Sequence, residues 1–338
     1  MLSRDANSLL WMARYIERAE NLARLVEVNR IFFLDSRKGE GSGEDEMWRP
    51  VMQLPAMADA YAKATEAQGG VAPDLGYFVT MDSSNAYSIR ACIAQARENA
   101  RMVRDQISEE MWLELNTIHL FLKSDDAEMI WGRSPEAYLR RLLEFSLLFQ
   151  GLTDATVPHN EGWRFVQLGK FLERADKTSR ILDSIGFMRD EGRGKCLAVL
   201  RCCSAVSAFR DEFGSSVTLD NVTAFLLFSQ AFPRSIRFCL RKLDEVLHDI
   251  SGVGRGEYSN EAERLTGGAL ANLNFSGIAD VKRRGLNEYV DDIQVQLNDI
   301  GQEIFESYVL LPSAIRSLSI GPVSVPLQFQ MQQQQQQQ

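Results

Sequence analysis

Residues 9–28 read LLWMARYIERAENLARLVEV, and the period of their apolar positions decides the fold. At about 100° per residue, Met12, Tyr15, Ile16, Ala19, Leu22, Ala23 and Val26 fall on one stripe. Arg14, Glu17, Asn21 and Arg24 fall opposite it, with Arg18 and Glu20 at the flanks. Residues 165–182, FVQLGKFLERADKTSRIL, repeat the pattern. Aligned on Glu17-Arg18-Ala19 and Glu173-Arg174-Ala175, the second stretch places Lys170 at Arg14, Phe171 at Tyr15, Asp176 at Glu20 and Arg180 at Arg24. An apolar stripe recurs easily by chance. Recurrence of the same charges at the same helical phase is harder to dismiss. Two readings follow. The charged face is either solvated and held by local pairs, Glu17 with Arg14 and Glu20 with Arg24, or it meets its counterpart, or a ligand, inside a helical assembly.

Working outward, Ser3 is a helix cap for a first helix that runs to about Asp35. A Gly-rich acidic loop, KGEGSGEDE, occupies residues 38–46. Residues 50–67 read helical and QGGVAP at 68–73 breaks them. Asp82 or Ser83 can cap the run that continues to Gln106, and Ser108 caps the next. Ser134-Pro135-Glu136 combines an N-cap, Pro at the first helical position and an acid in the first turn. Helical periods return at 196–213, 221–247, 261–274 and 279–309, with Pro233, Gly252 and Gly254 marking kinks or breaks. Alternation of period two is nearly absent. The chain is therefore all-α, a large bundle of about ten to twelve helices.

A second matched pair supports duplication: Asn85-Ala86-Tyr87-Ser88-Ile89 precedes one helix and Phe232-Pro233-Arg234-Ser235-Ile236 another. Each follows the Glu-Arg-Ala helix of its half. The expected organisation is two pseudo-symmetric halves from an internal duplication, residues 1–157 and 158–310. A tail at 311–338 ends in a glutamine run from Gln332 to Gln338, with nothing to bury and so expected to be disordered.

Composition narrows the function. The chain has 46 acidic against 37 basic residues, a net charge of −9, which argues against nucleic acid as a main partner. No stretch reaches the roughly 18 uninterrupted apolar residues of a membrane span. The five cysteines lack a CxxC and read as buried, reduced thiols of a cytoplasmic protein. There is no GxSxG nucleophile motif, and Gly252-Val253-Gly254-Arg255-Gly256 lacks the Lys-Ser/Thr of a phosphate loop. Carboxylate-bridged metal bundles use two Glu-x-x-His motifs. This chain has one, Glu245-Val246-Leu247-His248, and a histidine near a helix C-terminus is favourable without any metal. No cofactor is expected. Arginine-rich helix faces are the more informative feature, because guanidinium forks suit carboxylates and phosphates.

WMARYIERAENLARL, ARENARMVRDQISEEMWLELN, FLERADKTSRIL and FPRSIRFCL together resemble the bacterial Alpha-E family, over residues 1 to about 309. The sequence departs at Ala86-Tyr87, where an Asn-Pro-like turn is expected, and in its glutamine tail. The resemblance implies an all-helical cytoplasmic protein whose companions are a circularly permuted ATP-grasp protein and transglutaminase-like peptidases. It points to a pathway of ATP-dependent amide or peptide ligation. Carried over by motif, the ligand- or partner-binding candidates are Glu17, Arg18, Glu20, Asn21 and Arg24 in the first helix. They continue with Arg97, Glu98, Asn99 and Arg101, and with Glu173, Arg174, Asp176, Arg180 and Arg234. The leading expectation is a helical partner or substrate-presenting subunit of the ligase. The alternatives are an enzyme using clustered Glu and Arg side chains for acid–base work on an amide, and a metal enzyme using Glu245 and His248.

Overall fold

A computed structural model describes residues 1–36, 48, 51–52, 55–186 and 192–310. The acidic loop at 38–46 and the tail at 311–338 lie outside the described residues. Among these there are fifteen α-helices and no strand. The first half holds α1 (Ser3–Ser36), α2 (Pro55–Ala67), α3 (Leu75–Thr80), α4 (Ile89–Met102), α5 (Glu109–Leu122), α6 (Asp125–Arg133) and α7 (Pro135–Thr156). The second holds α8 (Glu161–Gly186), α9 (Arg193–Cys202), α10 (Val206–Phe213), α11 (Leu219–Phe228) and α12 (Ile236–Ser251), then α13 (Glu261–Phe275), α14 (Ile278–Arg284) and α15 (Leu286–Phe305). A π-helical turn, Glu306–Leu310, follows α15.

Local chemistry sets the helix starts. Ser108 accepts from the Met111 amide and Ser134 from that of Ala137, with Pro135 at the first helical position, as their sequences predict. Two readings are corrected. Asp82 bonds Ser84, and the cap of α4 is Ser88, which accepts from Ala91. The run expected at 221–247 is two helices, because Pro233 lacks an amide hydrogen and the chain breaks after Phe228 before Ser235 caps α12. Short segments such as α3, α10 and α14, which carry little period of their own, raise the helix count beyond the expected range.

The two motif helices are long, central and parallel. The Met1 ammonium meets Glu161, Gly169 crosses Leu10 and Ala13, and Arg18 reaches Glu173, so both chains run the same way. Gly169 makes the approach possible. A Cβ there would collide with the Leu10 carbonyl oxygen and lie 3.1 Å from the Ala13 methyl. Around this pair, α1 packs on α4 and α7, α4 on α5, and α5 on α7. Correspondingly, α8 packs on α12 and α15, α12 on α13, and α13 on α15. Each motif helix thus closes a four-helix ring with the same order of neighbours. Aliphatic and aromatic side chains fill both rings, Ile93, Leu115 and Tyr138 in one, Leu243, Val290 and Ile300 in the other. All five cysteines are buried and free. Burial pushes the Cys92 thiol up to about 11 and that of Cys203 to about 12.

Candidate functional site

The charged faces of α1 and α8 are not solvated. Glu17 is 1% exposed and Glu173 is fully buried, and the two Glu-Arg motifs exchange partners. Arg174 donates Nε and Nη2 to the two oxygens of Glu17, both at 2.8 Å. Arg18 donates Nε and Nη2 to Glu173 at 2.7 and 3.3 Å. Each carboxylate is therefore met by the arginine of the other motif through a two-pronged, charge-assisted contact. Glu17 bonds no Arg14, contrary to the local-pair reading; Arg14 crosses to Glu173 at 2.8 Å. Glu20 does keep its local partner Arg24.

The two exchanges differ in what surrounds them. On the Glu17 side, Arg234 enters from the turn before α12 and bridges Glu17 at 2.8 Å and Glu20. Its turn is fixed by Thr178, which donates to the Arg234 carbonyl at 2.9 Å. From α7, Ser146 donates to Glu20 at 2.7 Å, and Gln150 bonds Glu17, Glu20 and Arg174. Asn21 folds back onto the Glu17 carbonyl. This side is nearly filled, with a void of only about 20 Å³ beside Glu17 and Gln150. On the Glu173 side, Lys177 bridges Glu173 at 3.3 Å and Asp176 at 2.8 Å, and Arg180 also pairs with Asp176. Here the space stays open as a cleft of about 90 Å³. Its polar wall is Arg14, Arg18, Lys177 and Arg180 with Asp176, Asn21 and Asn298, and its apolar wall includes Leu22, Leu172, Ile181 and Leu297.

Burial alone would raise these carboxyl groups. The cations overrule it: Arg174 and Arg234 hold Glu17 at about 2, Lys177 and Arg180 hold Asp176 at about 2, and Arg18 and Lys177 hold Glu173 well below the usual range. Lys170, the counterpart of Arg14, goes the other way. Burial, then the neighbouring Arg174, lowers its amine to about 8, beside the same void of about 20 Å³ lined by Glu17, Gln150 and Thr153.

The fold gathers Glu17, Arg18, Glu20, Asn21, Arg24, Glu173, Arg174, Asp176, Arg180 and Arg234 around one helix crossing. It does not bring the α4 candidates there. Arg97 bonds Asn116 and Glu98, Arg101 pairs with Glu98 on an exposed surface, and Asn99 caps back onto the Gln95 carbonyl. Glu245 is held by Arg241 and Lys242, and both ring nitrogens of His248 face carbonyls, of Asp244 and Glu257. No group of three potential metal ligands occurs among the described residues. The sequence reading missed Lys177, Ser146, Gln150 and Tyr87. Lys177 was accessible, since it sits in the second motif where the first has Asn21; α7 carried no signal for Ser146 or Gln150.

A helical protein closed on a reciprocal Glu-Arg exchange is the class that this geometry defines. The chain belongs to the Alpha-E family, described as a predicted alpha-helical domain with a conserved ER motif, whose model matches residues 1–309. Glu17-Arg18 and Glu173-Arg174 both carry that dipeptide. Similar proteins include an uncharacterized protein of Mycobacterium bovis and one of Mycobacterium tuberculosis, each 26% identical over 341 residues. The match covers 93% of this chain but 38% of theirs. No solved structure matches significantly. Among the described residues, no helix is long and apolar enough to cross a membrane.

Proposed function

We propose that the chain is a non-catalytic helical subunit that presents a substrate to a circularly permuted ATP-grasp ligase in the cytoplasm. The observation that carries this reading is the state of the motif carboxylates. All four are tied to cations, and a group held at about 2 is a poor proton acceptor or donor near neutral pH. The motif therefore suits a rigid clamp better than acid–base chemistry. The open cleft beside it, richer in cations than in carboxylates, supplies a place for an anionic substrate. That the mycobacterial relatives extend well beyond the matched region is compatible with a module serving a larger ligation system. A transglutaminase-like peptidase is a second companion of the same system. The matching order of helix neighbours in the two rings supports an origin by internal duplication.

The test is reconstitution with a circularly permuted ATP-grasp protein from the same organism. The expected result is co-elution as a complex and ATP turnover that depends on the chain. No complex and unchanged turnover would overturn the reading. Acid–base chemistry by the chain alone on an amide or peptide would replace it with the enzyme alternative.

A further inference from the structure

The filled and open sides are counterparts, and their difference identifies a binding site. In the alignment of the two pre-helix turns, Tyr87 stands where Arg234 stands. Arg234 fills the space beside Glu17 and Glu20 with a guanidinium. Tyr87 instead lines the open cleft beside Asp176. The bridging charge that Arg234 supplies on its side is already present here, because Lys177 joins Glu173 to Asp176. Arg14 and Arg180 correspond to Lys170 and Arg24 on the other side, so what sets this side apart is the open space beside its cations. Four cations face two carboxylates, in a protein whose net charge is −9.

Donors are left over as well as charge. Arg14 uses only its Nε on Glu173, while Arg180 spends Nε and Nη2 on Asp176. Among the described residues, both Nη nitrogens of Arg14 and Nη1 of Arg180 have no acceptor. The Arg14 guanidinium is positioned, lying 4.4 Å over the Trp11 ring and only 16% exposed in its side chain. A planar fork with two spare N–H groups matches a carboxylate in a two-pronged contact. The same cleft is lined by Leu22, Leu172, Ile181 and Leu297, an apolar wall that a charged ligand without a hydrocarbon body would leave uncovered.

We infer that this cleft binds a small organic carboxylate with an apolar body, its carboxylate on Arg14 and Arg180 and its body on the α8–α15 wall. This deepens the substrate-presenting reading and rests on it for its physiological meaning, though the binding itself is a property of the chain alone. The test is calorimetric titration of the full chain, without any ligase, against N-acetyl-L-leucine, N-acetyl-L-leucinamide and inorganic phosphate. The acid should bind about tenfold or more tightly than the amide, the ratio one charge-assisted hydrogen bond carries. Arg14→Gln should weaken the acid by about tenfold. Tyr87→Arg, which copies the filled side, should abolish binding in a protein that melts no lower. Should that variant fail to fold, Leu297→Arg fills the cleft from α15 and should also abolish binding. Equal binding of acid and amide, binding of phosphate alone, no binding of any probe, or full affinity in a folded plugged variant would each overturn the inference. A ligase complex formed by a chain that binds no probe would leave the subunit reading standing while the ligand fails. Probe binding without a complex would do the reverse.

Discussion

Arg174→Met removes the most consequential half of the exchange. In the native protein Arg174 gives Glu17 two bonds of 2.8 Å, and Glu17 is 1% exposed. The variant leaves Glu17 with Arg234 and weaker contacts from Gln150 at 3.3 Å and Asn21 at 3.4 Å. The carboxyl is held at about 2 against an ordinary 4.5, a difference worth about 3 kcal/mol. Arg174 is its largest favourable contributor, and breaking a buried pair from one side costs about 3–5 kcal/mol. We expect a loss near 3 kcal/mol. Melting entropy for a folded body of this size is about 0.65 kcal/mol/K, so Tm should fall by about 5 °C. A cycle with Glu17→Gln and the double variant isolates the pair, and the coupling should be about 2–3 kcal/mol. Calorimetric melts at pH 7 measure all four proteins. A Tm within about 1 °C of the parent, or a coupling below about 0.5 kcal/mol, would refute the clamp.

Three further outcomes are expected. Gly169→Ala gains about 1 kcal/mol in helix propensity but drives a methyl into the Leu10 carbonyl, so net destabilisation of about 1–3 kcal/mol by denaturant melts is expected, and a stabilised variant would contradict the close crossing. The Lys170 amine is lowered from 10.5 to about 8, so its charged form opposes folding below that pH. Stability should climb between pH 8 and 10.5, and Lys170→Met should melt higher at pH 7 and flatten that climb. Glu17 and Asp176 are held at about 2 and Glu173 well below its ordinary value, so their contribution is full above about pH 4.5 and is lost as pH falls through those depressed values. Together these three make stability fall by about 4 kcal/mol per pH unit within that window, and Glu17→Gln should remove about 1.4 of it, read from urea melts in steps of pH.

The helical class and the helices that matter were legible because the period of about 3.6 runs unbroken through residues 9–28 and 165–182. The recurrence of Glu-Arg at one phase was legible too. Its meaning was not, since Glu17 with Arg14 satisfies local pairing rules as well as Glu17 with Arg174 does, and sequence spacing says nothing about a partner 157 positions away. Gly169 decided between them by letting two charged helices touch, yet one glycine in a helical run is an ordinary sight in a sequence. Arg97, Glu98 and Arg101 show the opposite case: the same residue types, also at helical spacing, with Glu98 and Arg101 exposed and Arg97 half-buried against Asn116. Tyr87 drew attention only as a departure from a family turn. Its role beside the cleft depended on knowing where Arg234 goes.

The claim that the Glu-Arg motifs are a clamp and not an acid–base pair is tested most directly by observing the carboxyl groups themselves. Carbon-13 NMR of the side-chain carboxyls, with Glu17→Gln and Glu173→Gln to assign the two signals, reports their ionisation in the folded protein. Both signals are predicted to stay at the ionised position from pH 9 down to pH 5, with any titration confined to the acid limit of the folded state. A titration of either group between about pH 5 and 8 would contradict the clamp and return the motif to acid–base chemistry.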